Sequence, residues 1–375
     1  LDNHKLSLNY KDNNLSIQGE GQIQLNTEEV DEIKYFINKK DKDLSIDSEL
    51  FLKNIVLEQQ DFLKIFFPQT NKKINFNNQK LKINFKNNNL SFLGSGKIKI
   101  DKDSAIAAIE KRIRLPKIPN YSVSVVKFGA KGDGIFDCRR AFEKAIRHLS
   151  RKKGGQLIVS SGIYLLNGPI HLESNINLHL EKGAVLRFND RPESYLPVVE
   201  TSWEGTMLYN YSPLVYANGK TNISITGEGV IDGEGHGEWA TWKAKENEDK
   251  QLSRKMNHEQ IPVKERTFGS GHFLRPQLIQ FLNCENILVE GVKFEDAPFW
   301  CVHFLKSKNI TVRNIFYDAH NKNNDGIDLE YASDVLIENV KFNNADDNIV
   351  IKAGRDVEGR SNNHMPSENI IARRA

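Results

Sequence analysis

A four-residue pattern, an Asn or Asp followed by three mostly apolar residues, recurs from residue 175 onward in this 375-residue chain. The copies are Asn175–Leu178, Asn222–Ile225, Asn286–Val289, Asn309–Val312, Asp334–Ile337 and Asn369–Ala372. The last four copies start 23, 25 and 35 residues apart. Short strands at such a period, separated by polar corners, are typical of a parallel β-helix, in which each coil stacks on the previous one.

The composition of each copy predicts its role in that stack. Ile, Val and Leu are expected to point inward and form a continuous core, while the recurrent Asn forms an amide ladder or satisfies the turn backbone. A leucine-rich repeat is the competing solenoid, but its L-x-x-L-x-L spacing is absent. We therefore predict an all-β, parallel β-helix over residues 120–375.

A capping helix is predicted at the start of the solenoid. Val125–Gly134 reads as a strand that runs into a Gly-rich turn, and Asp137 is positioned to cap a helix over Cys138–Lys152. Gly154 and Gly155 end that helix. The turn has neither of the Gly-rich nucleotide-binding motifs, so a cap for the open end of the core is the favoured interpretation.

A separate N-terminal domain is predicted over residues 1–115. All four Trp and all three Cys lie after residue 137, and prolines at 116 and 119 follow a short helix predicted over Ser104–Arg112. Lys5–Leu25 matches Lys80–Ile100 at 11 of 21 positions, and each copy alternates apolar and polar residues around an Asp/Asn turn, which predicts a hairpin. Glu28–Asn38 and, more briefly, Gln59–Phe67 favour helices. The result is a small β-rich (α+β) domain.

Charge and composition narrow the function classes. With 52 basic and 49 acidic residues the net charge is +3, which indicates neither nucleic acid nor a membrane surface as a partner. No apolar run approaches the roughly 18 residues of a membrane span. The three cysteines are too scattered for a disulfide framework or a metal site, and we expect them buried and free. We expect no cofactor and no metal.

Three carboxylates fall in two short corners of the repeat. Asn323-Asn324-Asp325-Gly326 precedes one predicted strand, and Ala345-Asp346-Asp347-Asn348 precedes the next. Adjacent residues on an extended strand point to opposite faces, so Asp346 and Asp347 reach one groove only if the chain bends there.

The order of motifs resembles the polygalacturonase family of glycoside hydrolases, family 28. The resemblance is carried by residues 128–137, 154–188, 223–235, 274–300 and 323–360. It implies a right-handed β-helix, a pectic substrate containing galacturonic acid, and an inverting mechanism. Asp346 would be the general acid, and Asp325 and Asp347 would hold the attacking water. Close carboxylates should raise at least one pKa, and inversion predicts acid-to-base separations of roughly 6.5–9.5 Å.

Substrate contacts are expected nearby, because galacturonate is an anion that favours cationic side chains. Lys352 and Arg355 follow the Asp pair directly. Other candidates for the groove lining are Asn324, His320, His303, Trp300 and Arg275. For two of these the alternatives are a core Trp300 and a satisfied buried His303. The segment between Asn189 and Arg275 is expected to decorate the groove.

The sequence departs from the family after the Asp pair. The family's Gly-His-Gly and Arg-x-Lys motifs are absent, and His364 does not match them. We therefore expect a fragment of a longer protein, with an artificial junction near residue 115 as an alternative. The first residues are Leu1-Asp2, so a missing signal says little, and a bacterial periplasmic or secreted location is expected.

Other functions remain open at this stage. A polysaccharide lyase on the same β-helix would use calcium-binding carboxylates and a basic residue. A non-catalytic glycan-binding envelope protein is the third hypothesis, because residues 1–115 faintly resemble repeats of AsmA-like envelope proteins.

Overall fold

The computed structural model describes both backbone and side chains of residues 106–361 and 365–375. Before residue 106 it describes the backbone of residues 2–11, 14–25, 28–40, 43–52, 55–57, 74–76, 79–86, 89–95 and 102–105. The chain divides into two compact units, Leu1–Ala105 and Ile106–Ala375. Among the described residues no helix is long and apolar enough to cross a membrane.

The first unit contains an antiparallel sheet in the order β1-β2-β3-β4-β7-β8. Its strands, with the separate pair β5 and β6, are β1 (Asp2–Lys11), β2 (Asn14–Leu25), β3 (Glu28–Lys40), β4 (Asp43–Leu52), β5 (Ile55–Leu57), β6 (Ile74–Phe76), β7 (Gln79–Lys86) and β8 (Asn89–Ser95). The two predicted hairpins are confirmed, with Leu8 opposite Ile17 and Ile83 opposite Phe92.

One helix predicted in this unit is wrong. Glu28–Asn38 lies in strand β3, which pairs with β2 on one side and β4 on the other. Pairing along both edges, with Val, Ile, Tyr and Phe in the segment, outweighs its local helical pattern. Gln59–Phe67 lies outside the described residues. The short helix predicted over Ser104–Arg112 is present as α1 (Lys102–Glu110).

The second unit is a right-handed parallel β-helix with three sheets. Sheet 1 contains β10 (Asp133–Asp137), β12 (Gly162–Leu166), β15 (Ala184–Phe188), β20 (Val230–Asp232), β24 (Lys293–Glu295), β27 (Phe316–Ala319) and β30 (Lys341–Asn344). Sheet 2 contains β9 (Ser122–Ser124), β11 (Gly155–Val159), β14 (Ile176–Leu180), β19 (Thr221–Gly227), β23 (Glu285–Glu290), β26 (Lys308–Arg313), β29 (Ser333–Glu338) and β32 (Glu368–Arg373). Sheet 3 contains β13 (Ile170–His171), β18 (Val215–Asn218), β22 (Ile279–Leu282), β25 (Val302–Leu305), β28 (Ile327–Glu330) and β31 (Ile349–Lys352).

Each full coil runs through sheet 3, sheet 2 and sheet 1 in that order. The two long insertions both leave the turn from sheet 1 to sheet 3, at residues 189–214 and 233–278. Their elements are β16 (Val199–Trp203), β17 (Thr206–Asn210), β21 (Thr267–Phe268), α3 (Glu238–Thr241) and α4 (Asn247–His258). A last short helix, α5 (Asp356–Ser361), follows sheet 3. The decoration predicted between Asn189 and Arg275 is therefore two insertions at one corner.

The core is the predicted stack of apolar residues. Equivalent positions of sheet 2 are occupied in successive coils by the fully buried Ile176, Ile223, Ile287, Ile310 and Val335. In sheet 3, the rings of Phe281 and Phe304 stack with their centroids 5.4 Å apart. Parallel register repeats each inward residue directly above the last, which explains why the sequence pattern is so regular.

The predicted amide ladder is also present. Asn222 Nδ2 donates to Asn175 Oδ1 at 2.9 Å, Asn286 Nδ2 donates to Asn222 Oδ1 at 3.2 Å, and Asn309 Nδ2 donates to Asn286 Oδ1. All four Asn are left-handed, with φ between 54° and 62°. Asn tolerates this conformation better than most residues, so the same side chain turns the backbone and links the coils.

The N-terminal end of the core is covered as expected. Helix α2 (Arg139–Arg151) buries Phe142, Ala145 and Leu149. Asp137 Oδ1 accepts hydrogen bonds from the backbone N–H of Arg139 at 3.0 Å and of Asn167 at 3.1 Å, so it ties the helix start to the next coil. The three cysteines are buried and free, as the sequence indicated.

The ladder generates a stability prediction. Asn309 accepts from Arg114 N at 2.7 Å and donates both to Arg114 O at 3.0 Å and to Asn286. Asn309→Gly keeps the left-handed backbone accessible but removes these bonds, and should lower the free energy of unfolding by about 2 kcal/mol. Asn283→Gly is the control, because Asn283 is also left-handed but makes one exposed 3.4 Å bond. Equal losses for both variants in urea unfolding would contradict a stabilising ladder.

Candidate active site

The two Asp-containing segments occupy the same turn of successive coils. Residues 320–326 connect β27 to β28, and residues 345–348 connect β30 to β31. Gly326 N–H donates to Asp347 O at 2.9 Å, and Ala345 N–H donates to Asn324 Oδ1 at 3.1 Å. Stacking therefore brings together Asp325, Asp346 and Asp347. We call these three residues and Lys352 the corner site.

The corner bends where the Asp pair requires it. Strand β30 ends at Asn344, and Asn344 Nδ2 donates to Asp346 O at 2.9 Å and to Asp347 O at 3.2 Å. Asp346 Oδ1 accepts from Asp347 N–H at 3.0 Å. Both acidic residues are exposed. The bend removes the alternation of an extended strand, so the two carboxylates are not forced onto opposite faces.

Asp325 lies at the buried edge of this cluster. Its exposed fraction is 8%, and its pKa is raised to about 7. Burial is the largest cause, Lys352 opposes it, and the charges of Asp346 and Asp347 raise the pKa further. The sequence predicted a raised pKa from repulsion between carboxylates. The elevation is present, but loss of hydration contributes more than repulsion.

Lys352 supplies the positive charge of the corner site. Its Nζ lies 2.6 Å from Asp328 Oδ1 and 3.5 Å from the centroid of the Trp300 ring. Asp328 is fully buried, and burial raises its pKa well above the usual range while Lys352 opposes the shift. Asp328 was not among the site residues predicted from the sequence. The signal was the alternation along Ile327–Glu330, which puts Asp328 and Glu330 on the outer face of sheet 3.

Three residues expected to line the groove are buried instead. His303 Nε2 lies 3.0 Å from Glu330 Oε2, its Nδ1 lies 2.9 Å from Gln280 Nε2, and burial lowers its pKa. Trp300 is 3% exposed. Arg275 is fully buried and paired with Glu246 at 3.0 Å. For His303 and Trp300 the structure thus has the buried alternatives, because the insertions cover the outer face of sheet 3.

A fourth candidate for the groove lining, Asn324, is also fully buried, and its side-chain oxygen holds the loop that contains Asp346. The other candidates lie at or near the surface. His320 is exposed, with Nε2 3.3 Å from Asp318 Oδ1. Arg355 is partly exposed, and its Nη1 donates to Glu204 O at 3.1 Å in the turn between β16 and β17. The structure thus brings Lys352 close to Asp325, whereas Arg355 is bonded to the first insertion.

Ion pairs and a hydrogen bond hold the second insertion to helix α5, which follows β31. Arg254 of α4 lies 3.2 Å from Asp356 of α5, and Glu358 N–H donates to Asn257 Oδ1 at 2.9 Å. Arg266 pairs with Glu358 in the same region. These contacts join the second insertion to the chain that follows the Asp pair. Within residues 106–361 and 365–375, no group of three or more His, Cys, Asp or Glu side chains has the arrangement of a metal site.

Comparisons with known proteins agree with this architecture. Residues 270–366 match the family model described as Glycosyl hydrolases family 28, and residues 122–183 match the one described as Rhamnogalacturonase A/epimerase, pectate lyase-like. The crystal structure of a hyperthermoactive exopolygalacturonase from Thermotoga maritima is 45% identical, with a TM-score of 0.69, over 72% of this chain and 62% of that chain. The recognition of a family 28-like β-helix is therefore confirmed.

Curated sequences give the same picture at lower identity. A probable polygalacturonase of Vitis vinifera is 28% identical over 68% of this chain and 48% of its own length. An endo-polygalacturonase of Pectobacterium carotovorum subsp. carotovorum is 27% identical over 72% of this chain and 62% of its own length. The chain thus spans about half to three-fifths of the curated relatives it matches here.

The buried carboxyl group at the corner site should reduce stability. Because the pKa of Asp325 is about 7 in the folded chain and that of an ordinary Asp is 3.8, folding is opposed as pH rises between those values. Asp325→Asn removes this opposition. It should raise the free energy of unfolding by up to about 4 kcal/mol above pH 7, and by almost nothing below about pH 4.

Asp356→Asn is the control, because its effect on the free energy of unfolding should have the opposite sign. Its hydrogen bond with Arg254 lowers the pKa of Asp356, so the variant should be less stable at neutral pH and unchanged in acid. Urea unfolding across this pH range measures both variants. If Asp325→Asn changed the free energy of unfolding equally at every pH, the destabilisation could not come from burial of the ionised Asp325 carboxylate.

Proposed function

We propose, from the premise that the β-helix of this chain resembles glycosyl hydrolase family 28, that the corner site hydrolyses glycosidic bonds in pectic polysaccharide. One observation carries the proposal: two stacked corners assemble three carboxylates around Lys352, and Asp325 holds a proton up to about pH 7. Hydrolysis of a glycoside needs both a protonated and an ionised carboxyl group. A cluster with one proton meets that need at neutral pH.

The proposed mechanism is inverting. Asp346 protonates the glycosidic oxygen as the bond to the anomeric carbon breaks, and Asp325 and Asp347 hold the water that attacks the opposite face of the sugar. That water gives its proton to the carboxylate pair. Asp325 holds a proton in the free protein, and the mechanism requires that proton to lie on Asp346 when the substrate is bound, so the singly protonated cluster is the competent form. These roles follow the family resemblance, and the exposure of Asp346 supports its contact with the leaving group.

Cations at the site favour an acidic sugar. Lys352 lies beside Asp325, and its Nζ is partly neutralised by Asp328. A galacturonate carboxylate that approaches the corner site would share Lys352 with Asp328, while Arg355, bound to Glu204, is available at the rim. We propose that Lys352 and Arg355 bind uronate carboxylates. A periplasmic or secreted location would give the protein access to such a polymer.

The position of the second insertion supports cleavage near a chain end. Asn321 Nδ2 donates to Ala297 O at 2.8 Å and to Gly235 O at 3.4 Å, and Lys243 Nζ donates to Asn323 Oδ1 at 2.7 Å. The insertion therefore occupies the corner beside the Asp325 loop, where a long polymer would otherwise continue. The Thermotoga maritima relative is named an exopolygalacturonase, which is consistent with this proposal.

The first test is sugar release from polygalacturonate. The wild-type chain should produce reducing ends together with one short product from the earliest times, because the insertion restricts access to a chain end. Asp346→Asn should lower kcat by at least about 1,000-fold while the fold is retained, since the proton donor is lost. Reducing-end and product-length measurements check both points, and Lys308→Met on sheet 2 is the surface control.

Each alternative has its own outcome in that assay. Unsaturated uronate products that disappear with a chelator would identify a polysaccharide lyase. Oligogalacturonide binding with no products would identify a glycan-binding protein. An early ladder of long oligomers would contradict cleavage at a chain end while leaving hydrolysis in place.

The pH dependence of kcat/KM tests whether activity requires one proton on the three carboxylates. Above about pH 7, kcat/KM should fall about tenfold per pH unit, because the cluster loses its last proton. Lys352 lowers the pKa of Asp325, so Lys352→Met should move this limb to higher pH, whereas Lys308→Met should not. If kcat/KM of Lys352→Met fell at the same pH as that of wild type, this fall could not be assigned to the proton held by Asp325.

A further inference from the structure

Arg275 is buried beneath the loop that contains Asp325. Its Nη1 donates to Lys322 O at 2.7 Å and to Pro298 O at 3.1 Å. Its Nη2 donates to Asn323 Oδ1 at 2.9 Å and to Glu246 Oε2 at 3.0 Å. One guanidinium group thus joins the second insertion, the turn of the preceding coil and the Asp325 loop. An ammonium group lacks the fork geometry to reach four separate acceptors at once.

Asn323 is the residue of the Asp325 loop whose side chain the second insertion contacts. It has φ of +57°, so the chain reverses through a left-handed residue two positions before Asp325. Its Oδ1 accepts from Arg275 and from Lys243 Nζ, and Lys243 also pairs with Glu246. Two cationic side chains of the second insertion, Arg275 and Lys243, therefore hold this left-handed turn.

The contacts continue from this turn to the second loop. Asn324 Oδ1 accepts from Ala345 N–H at 3.1 Å, and Asn324 O accepts from Asn344 Nδ2 at 3.2 Å. Gly326 N–H donates to Asp347 O. Hydrogen bonds thus connect Arg275 to Asn323 and connect Asn324 to the bend that contains the Asp pair, and the peptide bond between Asn323 and Asn324 links the two sets.

We propose that Arg275, with Glu246 and Lys243, is a positioning residue that sets the geometry of the three carboxylates and does not touch the substrate. Arg275 is completely buried, and the four acceptors of its Nη1 and Nη2 are all protein groups. Its Nε–H is buried as well and has no hydrogen-bond partner among the described residues. The second insertion therefore does more than border the site, because it fixes the loop on which Asp325 lies. The kinetic consequences rest on the proposed hydrolase function, whereas the structural consequences do not.

The test compares Arg275→Lys with wild type in the full chain. The lysine keeps the charge opposite Glu246 but loses most of the fork, so the Asp325 loop should loosen. We expect kcat on polygalacturonate to fall by about 10- to 100-fold with KM changed less than about twofold, since misplaced catalytic groups affect the chemical step. Lys243→Met removes the contacts of an exposed side chain with Asn323 and Glu246, leaves the Arg275 fork in place, and should cause a smaller fall of the same kind.

Hydrogen exchange supplies a readout that does not need activity. Amide exchange in residues 320–326 and 345–348 should accelerate about tenfold in Arg275→Lys and stay unchanged in Arg313→Lys. Arg313 is the matched control because it forms a two-bond fork with Glu290 on sheet 2, at 2.7 and 3.1 Å. Thermal unfolding of both variants separates a local effect from a general loss of stability.

The outcomes distinguish this proposal from the proposed function. A rise in KM with unchanged kcat would make Arg275 a substrate-binding residue and overturn the positioning role. Unchanged exchange in both loops would overturn it too. If wild type cleaves no pectic polymer, the hydrolase function fails, and the exchange of the two loops still decides whether Arg275 positions them.

Discussion

Parallel stacking of one coil on the next is the constraint on which the rest of this structure depends. Neighbouring strands in a sheet lie about 4.8 Å apart, so residues at the same corner of successive coils are forced into proximity. In sheet 2, the Asn ladder and the buried Ile and Val residues hold successive coils in parallel register. Asp325 and the Asp346–Asp347 pair are clustered for this reason, although they lie 21 and 22 positions apart in the sequence.

Burial then gives the clustered carboxylates different properties. Asp325 is 8% exposed, whereas Asp346 and Asp347 are exposed at the bend. Burial therefore keeps the Asp325 carboxyl group protonated up to about pH 7. On the outer face of sheet 3, Asp328 pairs with Lys352 and Glu330 pairs with His303. The first insertion adds to this arrangement, because Ser202 Oγ donates to Glu330 Oε2 at 3.1 Å.

The sequence predicts the features that repeat and misses those that depend on long insertions. The strand period identified the β-helix, the recurrent Asn identified the ladder, and corner positions identified the three Asp. The same local patterns could not show that insertions cover sheet 3, so Arg275 was expected to line the groove, and the choice between groove and core was left open for Trp300 and His303. Asp328 was missed because an acidic residue in an alternating strand usually faces water. Pairing on both edges likewise made Glu28–Lys40 a strand against its local helical signal.

The most direct test of this account is a titration of the Asp325 carboxyl carbon by NMR in the folded chain, repeated with Asp346 and Asp347 both changed to Asn. If stacking assembles a coupled cluster at a buried corner, Asp325 titrates near pH 7, and its midpoint falls when the two neighbouring charges are removed. It stays above that of a free carboxyl group, because burial remains. An Asp325 that titrates near pH 4 and ignores its neighbours would contradict the account.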